Sequence, residues 1–204
     1  MPLDELLTLL EAQGPGEPRR RLRERLTVLS ARAIPPAAWP LLERLWKEEV
    51  AQRPRVVARE LPRLAASGWG ARVSTWRGDI TTLEIGAIVN AANSGLTGCY
   101  RPMHPCVDNA IHTAAGPWLR AECEDLMAMR GRPEPTSTAT VTGGWFLPAK
   151  HVVHTVGPIV THGLPTPHDE AALRRCYLEC LLATAQLTPP GVAFCGISPG
   201  VFGY

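Results

Sequence analysis

Two cysteines and one histidine lie close together in the middle of the chain. Segment 98–106 reads Gly-Cys-Tyr-Arg-Pro-Met-His-Pro-Cys and provides Cys99, His104 and Cys106. Thiolates and imidazoles are the ligands that Zn²⁺ prefers. Three ligands favour a catalytic zinc with an open position, whereas a structural zinc needs a fourth ligand, from Cys123 or Asp108. Spacing alone also leaves a third alternative, in which these are ordinary buried side chains that hold no metal.

A pair of amide side chains precedes this segment. Asn90 and Asn93 lie at the end of an apolar run and are followed by Ser94 and Gly95. Amides in this position can bond sugar hydroxyls, and a glycine allows a ligand to approach the backbone. A plain turn is the alternative, since Asn, Ser and Gly are typical turn residues.

A glycine-rich segment at 196–203 reads Gly-Ile-Ser-Pro-Gly-Val-Phe-Gly. Backbone N–H groups in such a loop can surround a diphosphate. The segment also matches the G-x-S-x-G pattern of serine hydrolases. We reject that interpretation because Pro199, which follows Ser198, has no N–H to stabilise an oxyanion. The Asp and His that complete such a triad also do not occur between Ser198 and Tyr204.

Alternating strands and helices are predicted to position these segments. The pattern predicts helices at 106–129 and 169–187, and strands at 72–76, 86–92, 138–142, 151–156 and 192–197. This order is typical of a mostly parallel sheet with helices on both faces. Ligands of such sheets bind at the carboxyl ends of the strands, where the loops after residues 92 and 197 begin.

The first part of the chain has a different pattern. Leucine spacing and proline breaks predict short helices at 3–10, 19–32 and 38–51, with no ligand-like spacing. We therefore predict an N-terminal helical extension at 1–70 and an α/β domain at 71–204.

Composition excludes several classes of protein. The 204 residues are 45% hydrophobic and carry a net charge of +2, which argues against binding to nucleic acid or to an anionic membrane. The sequence has no apolar stretch long enough for a membrane span, and the first residues are acidic, unlike a secretory signal. These features predict a cytoplasmic protein in which cysteines act as ligands, catalytic groups or core residues.

Taken together, the motifs resemble those of macrodomains. The matching segments are GDI at 78–80, AIVNAAN at 87–93, VDNAIH at 107–112, AAG at 114–116, HTVGP at 154–158 and GISPGVFG at 196–203. The cysteine- and histidine-containing segment and the N-terminal extension resemble the zinc-containing branch of that family. The resemblance implies a three-layer α/β/α fold around a mostly parallel mixed sheet.

The resemblance also implies roles for matching residues. Asp79 would accept a hydrogen bond from the adenine amino group, with Ile80 lining that pocket, and Asn93 would hold the distal ribose. The other residues beside that ribose would be Val107, Asp108 and Phe202. The loop around the diphosphate would consist of Ser198, Pro199, Gly200, Val201, Phe202 and Gly203. The ligands of one Zn²⁺ would be Cys99, His104 and Cys106.

The zinc-containing branch implies a hydrolase that removes mono-ADP-ribose from protein. The expected reaction is hydrolysis of an ester between the ribose C1″ and an Asp or Glu side chain. Zinc would polarise a ribose hydroxyl or activate water, Asp108 would act as the base, and Asn93 would assist. Expected partners are a sirtuin-type ADP-ribosyltransferase and, as modified protein, a lipoylated carrier protein. The alternatives are a module that binds ADP-ribose without cleaving it and an O-acetyl-ADP-ribose deacetylase.

Two features depart from the family pattern. Pro199 replaces a small residue, often Thr, which removes one N–H donor from the diphosphate loop at a cost of about 1 kcal/mol. Similar proteins also continue beyond the position of Tyr204 with a helix, a strand and a last helix, the strand pairing between 72–76 and 192–197. We therefore expect a domain truncated at its C-terminus that is marginally stable or inactive unless another segment or subunit covers the open edges.

Overall fold

Six α-helices and six strands occur along residues 2–204, which are the residues that this computed structural model describes. In chain order they are α1 (Pro2–Leu9), α2 (Pro18–Val28), α3 (Ala38–Gln52), β1 (Val56–Val57), β2 (Leu83–Glu84), β3 (Ala87–Ala91), α4 (Val107–Ala115), α5 (Pro117–Arg130), β4 (Ala139–Gly143), β5 (His151–Thr155), α6 (Pro167–Thr184) and β6 (Val192–Ala193). None of the helices in this part of the chain has the length and apolar character needed to cross a membrane.

The central sheet has the strand order β4–β5–β3–β6. Strands β5 and β6 run parallel to β3, whereas β4 runs antiparallel to β5. The sheet is therefore mixed and mostly parallel, as predicted. Because β3, β5 and β6 point the same way, the loops that follow them leave the sheet at the same edge.

Helices cover both faces of this sheet. Ile88 of β3 packs in a cluster with Ile111 of α4 and Leu119 of α5, and all three side chains are fully buried. The next residue, Val89, points to the opposite face and packs with Cys176 and Cys180 of α6. This alternation, in which successive strand residues bury themselves under different helices, gives the predicted three-layer α/β/α arrangement.

The N-terminal helices have a core of their own. The fully buried leucines of this core are Leu6 of α1, Leu10 directly after α1, Leu22 of α2 and Leu42 of α3. Trp118 and Phe146 pack against this cluster from the α/β part of the chain. Residues Val56–Val57 then pair with Leu83–Glu84 in a separate two-stranded parallel sheet. The boundary at residue 70 stays a prediction.

The predicted single helix at 106–129 is wrong, because two helices occupy that stretch. Gly116 separates α4 from α5 and has φ 83° and ψ 177°, a conformation essentially restricted to glycine. Pro117 begins α5 at a position where a missing N–H costs nothing. Apolar periodicity continues across the break, and for this reason it did not reveal two helices.

Two predicted strands are also corrected. Residues 72–76 form no strand: Trp69–Arg72 is a 3-10 turn, and the Val73 carbonyl accepts a hydrogen bond from the Leu64 N–H. A strand requires a neighbouring ladder, and within residues 2–204 none lies beside this segment. The strand predicted at 192–197 is only Val192–Ala193, and beyond its end the Cys195 thiol donates to the Val89 carbonyl at 3.4 Å.

Candidate active site

The three predicted zinc ligands come together in the segment between β3 and α4. We call residues 98–106 the metal loop. The donor atoms of Cys99, His104 and Cys106 all lie within 4.8 Å of one another, and Cys99 Sγ lies 3.6 Å from His104 Nδ1. Cys106 is the N-cap of α4, where its sulfur accepts a hydrogen bond of 3.4 Å from the Asn109 N–H. Local chain geometry thus gathers the three soft donors at a helix N-terminus.

The chemistry of these donors fits a soft divalent cation. Burial raises the pKa of the Cys106 thiol, against the lowering effect of the Asn109 hydrogen bond, and the adjacent Cys99 raises it further. Two neighbouring thiolates repel each other unless a cation lies between them. Cys123 is not in this group, since it clusters with His112 and His154 elsewhere in the described residues.

A buried carboxylate lies at the start of α4 beside this loop. Asp108 is 5% exposed, and its Oδ1 accepts a hydrogen bond of 2.8 Å from Asn90 Nδ2. Its Oδ2 accepts a longer bond of 3.3 Å from Asn93 Nδ2, which also donates to the Gly98 carbonyl at 3.0 Å. Burial is the larger effect on the pKa of Asp108, and the hydrogen bond from Asn90 offsets part of it. The pKa of Asp108 is raised to about 6 as a result. Two amides from the end of β3 therefore fix the carboxylate next to the metal loop.

A second row of polar side chains lies behind Asp108. Asn90 Nδ2 is 3.2 Å from His154 Nδ1, and His154 Nε2 is 2.9 Å from the Thr142 hydroxyl. Burial lowers the pKa of His154 to about 4, so the ring is neutral near pH 7. The pattern fits a neutral ring whose Nδ1 accepts a hydrogen bond from the Asn90 amide and whose Nε2 donates one to the Thr142 hydroxyl.

Sequence reasoning considered Asn90 only as a partner of sugar hydroxyls, and it left His154 and Thr142 out of the site. A partial signal was present, because Asn90 is the one polar residue within the apolar run that forms β3. The register that pairs Asn90 with His154 is a property of the assembled sheet.

The residues predicted for adenine lie on the wall of a large cleft. Asp79 is exposed and caps the 3-10 turn Ile80–Thr82, its Oδ1 accepting a hydrogen bond of 2.9 Å from the Thr81 N–H. Ile80 is half-buried. The cleft, of about 1490 Å³, is also lined by His104, Cys106 and Val107, and it extends along the chain at 191–195. The residues predicted to bind adenine and two of the residues predicted to bind the metal thus line the same cleft.

The glycine-rich loop lies outside the lining of that cleft. It follows β6 and consists of Ser198, Pro199, Gly200, Val201, Phe202 and Gly203. The loop folds back on itself, since the Tyr204 N–H donates to the Ser198 carbonyl and the Gly203 N–H to the Gly200 carbonyl. Ser198 is 5% exposed, has φ 69°, and its hydroxyl has no hydrogen-bond partner within residues 2–204. The hydroxyl is therefore a buried polar group whose hydrogen-bonding capacity is unsatisfied among these residues.

Comparison with known families identifies the fold. A family model described as "Macro domain" matches residues 89–204, more than half of the chain. The chain belongs to the Macro domain family. The matched region contains the second half of β3, the metal loop, Asp108 and the glycine-rich loop, so most of the predicted site residues lie within it.

Curated relatives of this macrodomain carry the name "Protein-ADP-ribose hydrolase". The protein of that name from Treponema medium is 53% identical over 127 residues, which cover 62% of this chain and 48% of the relative. The one from Staphylococcus aureus strain MSSA476 is 45% identical over 135 residues, covering 66% and 51%. The chain therefore spans about half the length of these relatives.

Solved structures of similar proteins are also macrodomains. The Oceanobacillus iheyensis macrodomain with ADP is 39% identical, has a TM-score of 0.54, and aligns over 62% of this chain and 64% of that one. The Trypanosoma brucei macrodomain in complex with ADP-ribose is 28% identical, has a TM-score of 0.64, and aligns over 94% of this chain and 78% of that one. The latter alignment reaches into the N-terminal helices as well as the sheet.

Proposed function

We propose that this macrodomain binds ADP-ribose and is a zinc-dependent hydrolase that removes mono-ADP-ribose from aspartyl or glutamyl esters on protein. The observation that carries the proposal is the meeting of three soft donors with the buried carboxylate of Asp108 at one edge of the sheet. The names of the relatives, and the ADP-ribose complex of the Trypanosoma brucei protein, support the same ligand and reaction class.

The ligand would extend from the adenine side of the cleft towards the metal loop. Asp79 would accept from the adenine amino group beside Ile80, and Asn93 would bond the distal ribose. The glycine-rich loop would offer backbone N–H groups and the unpartnered Ser198 hydroxyl to the diphosphate. Phe202 would stack near the distal ribose, with Val107 on its other side.

Cys99, His104 and Cys106 would hold one Zn²⁺, which, when bound with an open position, supplies a Lewis acid beside the ribose. Asp108 would accept the proton of the attacking water at a carboxylate oxygen. Its two hydrogen bonds from Asn90 and Asn93 fix its orientation and leave further lone pairs free. Hydrolysis would free ADP-ribose and the protein carboxylate.

Two other functions use the same pocket. A module that only binds ADP-ribose needs no metal, and a deacetylase would act on the small ester O-acetyl-ADP-ribose. The buried base beside the donor cluster favours catalysis over simple binding. A sirtuin-type transferase and a lipoylated carrier protein are the proposed functional partner and modified protein.

The decisive experiment measures ADP-ribose release together with zinc content. The chain is incubated with protein mono-ADP-ribosylated on Asp or Glu, with and without chelator, as wild type and as Cys106→Ser. We expect about one zinc per chain in the wild type, and loss of both zinc and release with chelator or Cys106→Ser. Cys180→Ser is the matched control, because that thiol is buried under α6 on the other face of the sheet.

Each alternative gives a different result. ADP-ribose binding that survives chelation, with no release from any substrate, would indicate a binding module. Cleavage of O-acetyl-ADP-ribose without release from modified protein would indicate a deacetylase.

A further inference from the structure

A buried arginine on α5 caps the C-terminal end of α2. Arg120 is 5% exposed, and its Nη1 donates to the carbonyls of Leu26 at 2.7 Å, Thr27 at 2.8 Å and Leu29 at 2.9 Å. The last carbonyls of a helix have no N–H partner within it, and they form the negative end of the helix dipole. Arg120 therefore satisfies acceptors that the N-terminal extension cannot satisfy by itself.

Glu124 holds the other side of the same junction. It lies one turn after Arg120, and its carboxylate accepts hydrogen bonds from the Ala31 N–H and the Ser30 hydroxyl, both at 3.0 Å. These groups begin the 3-10 turn Ala31–Ala33 that follows α2. Two charged side chains on one face of α5 thus bind the extension. The Arg120 cation bonds carbonyls at the end of α2, and the Glu124 anion bonds the N–H and hydroxyl groups at the start of the 3-10 turn.

Arg120 also touches the metal loop. Its guanidinium carbon lies 4.7 Å from the centre of the Tyr100 ring, within the range of a cation–π contact. Tyr100 directly follows Cys99, and its hydroxyl donates to the Thr97 hydroxyl at 3.1 Å. The charge of Arg120 therefore lies between the end of α2 and the residue next to a metal donor.

Hydrogen bonds from two amide side chains also hold this loop, since Asn93 Nδ2 donates to the Gly98 carbonyl at 3.0 Å and Asn109 Nδ2 donates to the carbonyls of Arg101 at 3.5 Å and His104 at 3.0 Å. Tyr100 is 47% exposed and belongs to none of the three hydrophobic clusters of the described residues. Its neighbours Arg101 and Pro102 are exposed, and Met103 is 55% exposed with φ 57°. Within the described residues, the contact with Arg120 ties the Tyr100 side chain, next to Cys99, to α5.

We propose that Arg120 is a positioning residue through which the N-terminal helices hold the metal loop in its ligand-binding conformation. The inference rests on the proposed function, since it takes Cys99, His104 and Cys106 to be zinc ligands. Holding the loop before the metal arrives lowers the ordering cost of binding. The extension therefore supports the metal site through its hydrogen bonds to Arg120, although it provides no ligand.

The test measures the zinc dissociation constant of the full chain by competition with a chromogenic chelator. Tyr100→Leu removes the aromatic face, and we expect zinc binding about fivefold weaker, the value of a partly exposed cation–π contact. Tyr100→Phe keeps the ring and should stay within twofold of wild type. Arg120→Met should weaken binding at least as much as Tyr100→Leu. Adding Tyr100→Leu to Arg120→Met should cause no further loss, because the two residues act through one contact.

A matched variant separates this role from general destabilisation. Glu124→Gln weakens the docking of the extension but leaves Arg120 and Tyr100 in place. It should lower the melting temperature without changing zinc affinity more than twofold. Equal weakening by Glu124→Gln and Tyr100→Leu would overturn the inference in favour of a purely structural role.

The comparison of Tyr100→Leu with Tyr100→Phe tests the inference even if Arg120→Met does not fold. Tight zinc binding that is unchanged in Tyr100→Leu, or equally weakened in Tyr100→Phe, would overturn the inference and leave the metal site intact. Absence of stoichiometric zinc in the wild-type chain would overturn the metal site itself, and this inference with it.

Discussion

At the scale of single residues, the site depends on how Asp108 is held. A carboxylate that is 5% exposed must have hydrogen-bond partners, and Asn90 and Asn93 provide one for each oxygen. Both partners come from the end of β3, whereas Asp108 begins α4, directly after the metal loop. The carboxylate and the three soft donors are thus positioned by the end of one strand and the start of one helix.

Asp108→Ala tests the role of this carboxylate. Removing a general base costs typically 10²- to 10⁴-fold in rate, so we expect kcat to fall by at least about 100-fold with zinc content unchanged. Release of ADP-ribose and elemental analysis are the measurements. Asp125→Ala is the control, since that carboxylate is exposed and pairs with Arg32 at the surface. Unchanged turnover in Asp108→Ala would show that another group acts as the base.

At the scale of elements, the break between α4 and α5 allows the N-terminal helices to approach. A Cβ at Gly116 would lie 2.8 Å from Trp46 Nε1 and 2.9 Å from the Trp118 ring. The indole rings of Trp46 and Trp118 also meet edge to face, with centroids 6.2 Å apart. Gly116 therefore serves two purposes, a backbone turn and a close contact between α3 and α5.

Gly116→Ala should destabilise the fold for both reasons. The backbone conformation alone costs about 1–3 kcal/mol for a residue with a side chain, and the contact with Trp46 adds to it. We expect the free energy of unfolding to fall by about 3 kcal/mol, measured by denaturant titration. Gly131→Ala is the control, because Gly131 has φ 67° but no atom within 4 Å of its would-be Cβ. It should cost only about 1 kcal/mol, and equal losses at the two glycines would contradict the packing argument.

At the scale of the whole molecule, buried histidines link stability to pH. Burial lowers the pKa of His154 to about 4 and that of His112 well below its usual value. The unfolded chain therefore binds more protons than the folded one between about pH 6.5 and 4. Their contribution to stability is complete above pH 6.5 and is lost as pH falls. The raised pKa of Asp108 has the opposite effect, because burying this carboxylate lowers stability at neutral pH and that loss is relieved as pH falls through about 6.

The contribution of His154 can be isolated with His154→Gln, which cannot titrate. In chelator, so that metal loss plays no part, the difference in free energy of unfolding between wild type and variant should shrink by about 3 kcal/mol from pH 7 to pH 4. The measurement is denaturant unfolding at several pH values. A difference independent of pH would mean that the pKa of His154 is the same in the folded and the unfolded chain, contrary to the effect expected from its burial.

Local patterns predicted much of this fold. The apolar run that became β3 and the leucine spacing of α1 to α3 match the observed elements to within a few residues, because burial of one face imposes its period on the sequence. The predicted strand at 72–76 and the full length of 192–197 were wrong, since a strand exists only where a neighbour offers a ladder. That neighbour is a property of the assembled sheet.

The sequence by itself determined the chemistry that this protein carries: three soft donors within one short segment, an amide pair, and a glycine-rich loop after an apolar run. Those features follow from residue types at close spacing, where the chain has little freedom to separate them. Only the tertiary structure decided that Asn90 and His154 stand in register behind Asp108, and that Arg120 joins α2 to Tyr100. Such contacts bring together residues distant in the chain, and they are selected by packing of the whole rather than by any local preference.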